Sequence, residues 1–334
     1  MHEETGIISY VHGNKNQLMK IEDYRRLKNC TTIEDLKEKL QTSPLYGKDF
    51  LDESQITLKS FKQILYKCLQ EQINTALAFS TKMSRQLVDF YLEYFQISNF
   101  IYLWACKQEN PKSLEGSLKL HPLGMYNGLN FVKVTQSTED TWKYCLENTP
   151  LQRYMAGLTH ELLKEDIQYI MNIFLKRYIE MLYQFSVENS LCLQELMLFE
   201  GDKRIIEVLH STVGTTVPVR DKTVLFPECT TFSQMQKTHL LACKSVEELT
   251  SALSSHQRYR SVIGSEMGVE DALRREEIRI CKRSFLYYDD PSVVYTQLKL
   301  QELEIVNLTF LADCISQGRT GSINEILDIE ESQK

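Results

Sequence analysis

A short acidic motif occurs three times in this chain, at nearly constant spacing. Its glutamates, Glu34, Glu139 and Glu247, stand 105 and 108 residues apart. A stripe of residues with helical spacing also repeats, at a constant offset of 104 residues. Its three copies begin at Leu92, Leu196 and Leu300. Three units of this length fill almost all of the 334 residues, so the repeat is the architecture of the chain.

The repeat predicts an all-α protein built from three helical-bundle lobes related by a pseudo-threefold axis. Only 13 glycines and 7 prolines occur, which favours long helices over a turn-rich β protein. The lobes are predicted to cover residues 8–117, 118–224 and 225–317. Residues 318–334 lose the helical periodicity and end in acidic and polar residues, so we expect a flexible tail there.

Each lobe is predicted to begin with a short capped helix and to continue with two longer helices. Thr32, Ser137 and Ser245 can each accept a backbone N–H of a first helical turn, and an acid follows each of them three residues later. Apolar residues three and four apart predict the long helices. These helices are expected at 58–79, 82–107, 159–187, 192–211, 269–287 and 294–316.

Composition restricts the functional classes. The 38 basic and 45 acidic side chains give a formal net charge of −7, and no Lys/Arg run offers a basic face, so we expect no nucleic-acid partner. Nine scattered cysteines without a CxxC pair indicate reduced, mostly buried thiols. No stretch approaches the ~20 apolar residues needed to span a bilayer, and the acidic N-terminus lacks a signal-peptide core. Membrane association is therefore expected only through partners.

Catalytic and metal-binding signatures are weak. His160-Glu161 is not followed by the second histidine that a helical zinc site needs. Residues 213–216 contain a glycine and hydroxyls but lack the further glycine and the lysine of a phosphate-binding loop. We therefore predict a protein with no catalytic residue, cofactor or metal. A soluble helical enzyme is the alternative, and it would need a pocket with convergent titratable groups.

Polar residues interrupt the apolar stripes at three equivalent positions, Asn99, Lys203 and Asn307. Local hydrogen bonds within each lobe would explain the two asparagines. A lysine is harder to bury without a partner, so three matched polar positions could instead line a central cavity. Glu200 and Arg204 stand beside Lys203, where an ordinary solvated helix face would pair them with each other at i, i+4.

Short motifs along the chain match, in order, those of one known family. The matching segments are CTTIEDLK at 30–37, YG at 46–47, HPLG at 121–124, NTPL at 148–151, YIE at 178–180, FEGDKR at 199–204, LFP at 225–227, LKLQE at 298–302 and ADCISQ at 312–317. No single segment is specific, but their order is kept over about residues 8–317. By these motifs the chain resembles the d subunit of the vacuolar-type proton-pumping ATPase, a family related to the C subunit of archaeal rotary ATPases.

The resemblance implies a funnel-shaped protein with a central cavity. Such a protein would sit peripherally on the cytosolic face of vacuolar or other endomembrane compartments, on the proteolipid c-ring. The central rotor shaft, subunits D and F, would enter its cavity, and the membrane subunit a would be a further partner. It would catalyse nothing itself and would couple ATP hydrolysis to proton transport.

Asn99, Lys203, Arg204, Asn307 and Glu200 are then the predicted partner-binding residues of the cavity. A free-standing helical-repeat scaffold or adaptor, unrelated to any pump, would have the same composition and is the alternative. Isolation of the protein with or without rotary ATPase subunits would separate these two interpretations.

Overall fold

The computed structural model describes residues 4–51, 56–109, 120–135, 137–215, 219–260 and 268–319. Over these residues the chain forms sixteen α-helices and no β-strand, so the predicted all-α class is confirmed. The predicted flexible tail lies outside the described residues except for its first two positions, 318 and 319.

The sixteen helices are numbered in chain order. They are α1 Thr5–Lys15, α2 Ile21–Leu27, α3 Ile33–Leu40, α4 Gly47–Leu51, α5 Leu58–Phe79, α6 Lys82–Glu109, α7 Phe131–Val134, α8 Thr138–Asn148, α9 Gln152–Met155, α10 Ile167–Asn189, α11 Leu191–Thr212, α12 Val219–Val224, α13 Gln234–Leu241, α14 Val246–Ser254, α15 Val269–Ser284 and α16 Ser292–Ser316. Two short 3-10 turns, Pro122–Gly124 and His160–Lys164, lie between them.

The long helices follow the predicted apolar spacing closely. α5 has the predicted bounds, and α11 extends the predicted helix by one residue at each end. α10 and α15 depart most, because α10 begins at Ile167 and not at 159, and α15 ends at Ser284 and not at 287. Asp166 caps α10 by accepting backbone N–H groups of the first turn, one of them at 2.8 Å, while His160–Lys164 forms a separate 3-10 turn.

All three predicted helix caps are confirmed. The hydroxyls of Thr32, Ser137 and Ser245 each accept the backbone N–H three residues on, at 3.0, 3.0 and 3.2 Å. At the first of these caps, the Asp35 carboxylate returns a bond to the Thr32 N–H at 3.1 Å, which completes a capping box. The repeated acidic motif therefore marks the start of α3, α8 and α14.

The described chain divides into two compact units. Unit 1 draws its described residues from Met1–Val88 and Glu270–Lys334, and unit 2 from Asp89–Val269. The division falls within α6. It does not test the three predicted lobes, whose boundaries stay predictions.

Within unit 1, α16 packs against α5, α1 and α3. Seventeen of its residues are buried, so it lacks the solvated face of an ordinary amphipathic helix. Leu300, Leu308 and Leu311 are fully buried among them. Its buried residues also include a glutamate, two glutamines and an asparagine, and polar groups in such a core need hydrogen-bond partners.

Within unit 2, α10 and α11 pack along each other over most of their length. Ser190 separates them, and its hydroxyl caps α11 by accepting the N–H of Leu193 at 3.0 Å. Phe174 on α10 and Phe199 on α11 are fully buried. These contacts fix the part of α11 that carries the predicted partner-binding residues.

Candidate functional site

Asn99, on α6, is buried, and its amide hydrogen-bonds the backbone of His121 in unit 2. Its Nδ2 donates to the His121 carbonyl at 2.9 Å, and its Oδ1 accepts the His121 N–H at 2.7 Å. The His121 ring stacks on Phe95 with centroids 4.2 Å apart, and burial lowers the pKa of His121 to about 4. The oxygen and the nitrogen of the Asn99 side-chain amide are therefore both used in hydrogen bonds, but these run to residue 121 in the predicted second lobe and not within the first lobe, as the simpler explanation expected.

Gly124 allows this close approach. A Cβ at this glycine would stand 2.3 Å from the Phe95 carbonyl oxygen and 2.5 Å from Nδ2 of Asn99. A larger residue would therefore push the 121–124 segment away from α6. Within the HPLG motif, the backbone of His121 hydrogen-bonds Asn99, and Gly124 leaves the space for this contact.

Lys203, Glu200 and Arg204 form a charged face on α11. Lys203 Nζ lies 3.6 Å from Glu200, and Arg204 Nη1 lies 2.7 Å from Glu207. Arg204 also donates to the side-chain oxygen of Asn172. Arg204 thus reaches Glu207 one helical turn further along α11 and Asn172 on α10. The side chains of Lys203 and Arg204 are 22% and 14% exposed, so this face is less solvated than expected.

Asp202, between these residues, is fully buried, and sequence reasoning missed it. Its carboxylate accepts the Thr231 N–H at 2.7 Å and the Tyr259 hydroxyl at 2.8 Å. The hydroxyls of Thr230 and Thr231 donate to it as well. Four donors stabilise the buried carboxylate, which holds the 230–231 segment against α11.

Asn307, on α16 in unit 1, donates from Nδ2 to the Tyr24 hydroxyl at 3.5 Å. One turn earlier, Glu304 is fully buried. Its Oε2 accepts the Met19 N–H at 2.6 Å, and its Oε1 accepts the Tyr46 hydroxyl at 2.8 Å. Burial raises the pKa of Glu304 to about 7, and burial together with the neighbouring carboxyl raises the pKa of Tyr46 well above its usual range.

The same relation therefore occurs on three long helices. Asn99 on α6 holds residue 121, Asp202 on α11 holds residue 231, and Glu304 on α16 holds residue 19. We call these contacts the Asn99 pin, the Asp202 pin and the Glu304 pin. In each pin a side-chain oxygen accepts a backbone N–H from a segment near the start of a predicted lobe. The third helix holds a segment from the opposite end of the chain.

The five predicted partner-binding residues are therefore distributed as follows. Asn99, Glu200, Lys203 and Arg204 lie in unit 2, and Asn307 lies in unit 1. Glu200, Lys203 and Arg204 come together on one stretch of α11. The role of all five in binding a partner stays a prediction.

The described residues contain no group of three or more His, Cys, Asp or Glu side chains placed to hold a metal ion. Six of the nine cysteines are buried, in agreement with the predicted burial of the thiols. None of the helices in the described ranges is long and apolar enough to cross a membrane.

Comparison with known proteins gives matches over nearly the whole chain. Residues 7–326 match the family model for the ATP synthase (C/AC39) subunit. The V-type proton ATPase subunit d of Saccharomyces cerevisiae is 27% identical over 332 residues, which cover 96% of this chain and 95% of the relative. The V-type proton ATPase subunits d of Dictyostelium discoideum and Neurospora crassa are each 25% identical, and each match covers 96% of this chain.

Proposed function

The chain belongs to the ATP synthase (C/AC39) subunit family, and from that premise we propose that it is the non-catalytic d subunit of a vacuolar-type proton-pumping ATPase. The observation that carries the proposal is the length of the match, since the family model covers residues 7–326 and the yeast relative aligns over 96% of the chain. A free-standing scaffold that shared only helical composition would not be expected to align from end to end.

The proposed architecture is a funnel of three lobes with a central cavity. It is supported by the three pins, because side chains on α6, α11 and α16 hold their segments by the same kind of bond. Each pin stiffens the unit that contains it, since the held segment cannot move without breaking hydrogen bonds in a packed interior. Stiffness is what a part that transmits torque requires.

In the proposed role the protein sits on the cytosolic face of the proteolipid c-ring, in a vacuolar or other endomembrane compartment. It receives the rotor shaft, subunits D and F, and contacts the membrane subunit a. ATP hydrolysis elsewhere in the pump would turn the shaft, and this subunit would pass that rotation to the ring. Attachment to the membrane would then depend on these partners.

The charged face of α11 is the proposed contact for the shaft. Lys203 Nζ lies 3.6 Å from Glu200, and the two side chains keep 22% and 13% of their surface exposed, so part of each is accessible to a partner. Arg204 stands on the same stretch of helix. Asn99 and Asn307 are buried, and their proposed contribution is to hold the helices that surround the cavity.

Affinity purification tests the proposal. A tagged copy would be expressed in its own cells, purified from detergent-solubilised membranes, and its companions identified by mass spectrometry. The proposal predicts the c-ring, shaft subunits D and F and subunit a in near-equal amounts, and removal of the ring subunits should shift the protein to the soluble fraction. Recovery of the chain alone, or with proteins unrelated to a rotary ATPase, would contradict it.

A further inference from the structure

We propose that the Glu304 pin is a protonation switch: neutral Glu304 holds residues 19 and 46 against α16, and ionised Glu304 releases that hold. The proposal concerns contacts within unit 1 and does not depend on the pump assignment. The attachment of residues 19 and 46 to α16 would then depend on pH.

The geometry of the pin is unusual for a carboxyl group. Glu304 is fully buried and accepts two hydrogen bonds, one from the Met19 N–H and one from the Tyr46 hydroxyl. Among the described residues no lysine, arginine or histidine forms an ion pair with it. The two donated hydrogen bonds favour the charged carboxylate, but the loss of hydration in a fully buried site without a cation outweighs them, so the closed pin favours the neutral acid.

The charged and titratable groups around the pin do not supply the missing cation. On α2, the negative charge of Asp23 acts on Glu304 and disfavours its ionisation. On α5, Cys68 acts on Tyr46 and donates to Asp49 at 3.1 Å. The phenol of Tyr24 on α2 also acts on Tyr46.

On α3, Lys39 directs its ammonium to the carbonyl of Arg26 at 2.8 Å, and Arg26 in turn lies 3.8 Å from Asp23. On α16 itself, Asp313 pairs with Lys62 of α5 at 3.3 Å. Lys39, Arg26 and Lys62 thus each have an acceptor of their own, and the charge that acts on Glu304 is the negative charge of Asp23.

The other two pins are built differently. Asn99 carries an amide that does not titrate. Asp202 accepts four hydrogen bonds, twice as many as Glu304. Of the three pins, only the one on α16 combines a carboxyl group with few donors.

A cavity gives the pin room to open. Met19 and Asp23 line a cavity of about 550 Å³ beside α2 and α3, together with the cations Arg26 and Lys39. If Met19 moves outward into this space, its N–H can bond to water and the carboxylate of Glu304 can be hydrated. Opening therefore exchanges two buried hydrogen bonds for hydration of a charge, and this exchange is favourable only when Glu304 is ionised.

The transition falls near neutral pH, because burial raises the pKa of Glu304 to about 7 in the closed pin, from the usual 4.5. If the open pin has the usual pKa, linkage gives an opening constant that rises about tenfold between pH 6 and pH 8. The change follows from ionisation of one group, so it should disappear when that group cannot ionise.

Hydrogen–deuterium exchange of the full chain tests this. Protection of the peptides containing Met19 and Tyr46, corrected for the intrinsic exchange rate at each pH, should fall about tenfold from pH 6 to pH 8. In Glu304→Gln the fall should vanish, while Glu302→Gln, a change at a half-buried carboxyl on the same helix, should keep it. Protection around Thr231, at the Asp202 pin, should not change with pH.

The wild-type measurement stands even if Glu304→Gln folds poorly. In that case Tyr46→Phe is the second variant. It keeps the carboxyl and removes one donor to its charged form, so it should enlarge the fall in protection. Constant protection of the wild type between pH 6 and pH 8, or an unchanged fall in Glu304→Gln, would overturn the proposal.

Discussion

Replacement of Gly201 by alanine should destabilise the protein, although alanine is the better helix former. A glycine inside a helix can permit a bend or a close approach of another segment, and at Gly201 in α11 the structure shows a close approach. A Cβ at position 201 would stand 1.8 Å from the carbonyl oxygen of Cys229. To reach ordinary van der Waals contact, these two atoms would have to move apart by roughly a further 1.5 Å.

The size of the effect follows from what that movement disturbs. Cys229 directly precedes Thr230 and Thr231, which donate to the Asp202 carboxylate. Overpacking costs ~1–3 kcal/mol, and each hydrogen bond lost to a charged group costs ~1.5–3 kcal/mol. The higher helix propensity of alanine offsets only ~1 kcal/mol of this cost. We expect a net loss of about 2–4 kcal/mol in the free energy of unfolding.

Gly13→Ala is the matched control, because Gly13 lies within α1 and a Cβ there would have no atom within 4 Å. It should stabilise the protein by up to ~1 kcal/mol. Scanning fluorimetry would follow the thermal midpoint, which for a chain of this size changes by about 1.4 °C per kcal/mol. Gly201→Ala should lower the midpoint by about 3–6 °C, whereas a rise like that of Gly13→Ala would refute the close-approach explanation.

Three further predictions concern the caps, the α11 face and pH. Thr32→Ala, Ser137→Ala and Ser245→Ala should each cost ~1 kcal/mol in chemical denaturation and leave pump assembly intact; loss of assembly at unchanged stability would mean a binding role. Lys203→Gln should lower the proton transport per ATP hydrolysed severalfold with little change in thermal midpoint, unlike the exposed control Lys143→Gln; equal transport in both variants would remove Lys203 from the shaft contact. Burial raises the pKa of Glu304 to about 7, so its stabilising contribution is complete below pH 4.5 and is lost as pH rises through 7. Between pH 5 and pH 8 the wild type should therefore lose about 2–3 kcal/mol of unfolding free energy relative to Glu304→Gln. Parallel curves of stability against pH for the two proteins would contradict this.

Local signals explain what the sequence predicted well. The bounds of α5 and the three caps follow from apolar spacing and from hydroxyl residues placed before acids, and both signals lie within a few residues. The predicted start of α10 was wrong because the apolar spacing continues through His160–Lys164, although the backbone there forms a 3-10 turn. Asp166, the residue that caps the helix, was the signal that would have located the start.

The pins depend on contacts that the repeat alone cannot reveal. Alignment of the repeats selected Asn99, Lys203 and Asn307, but of these three residues only Asn99 forms a pin. The other two pins are formed by Asp202, one residue before Lys203, and by Glu304, one helical turn before Asn307. The bonded partners of Glu304 are 285 and 258 residues distant along the chain, so only the folded structure brings them together.

The ratio of proton transport to ATP hydrolysis tests the central claim most directly. The chain would be expressed in cells that lack their own subunit d, and acidification and ATPase activity would be measured in the same membrane vesicles. If the chain couples the rotor shaft to the c-ring, it should restore both activities, and a c-ring inhibitor should then stop both together. Vesicles that contain the chain but neither acidify nor couple ATP hydrolysis to the ring would contradict the account.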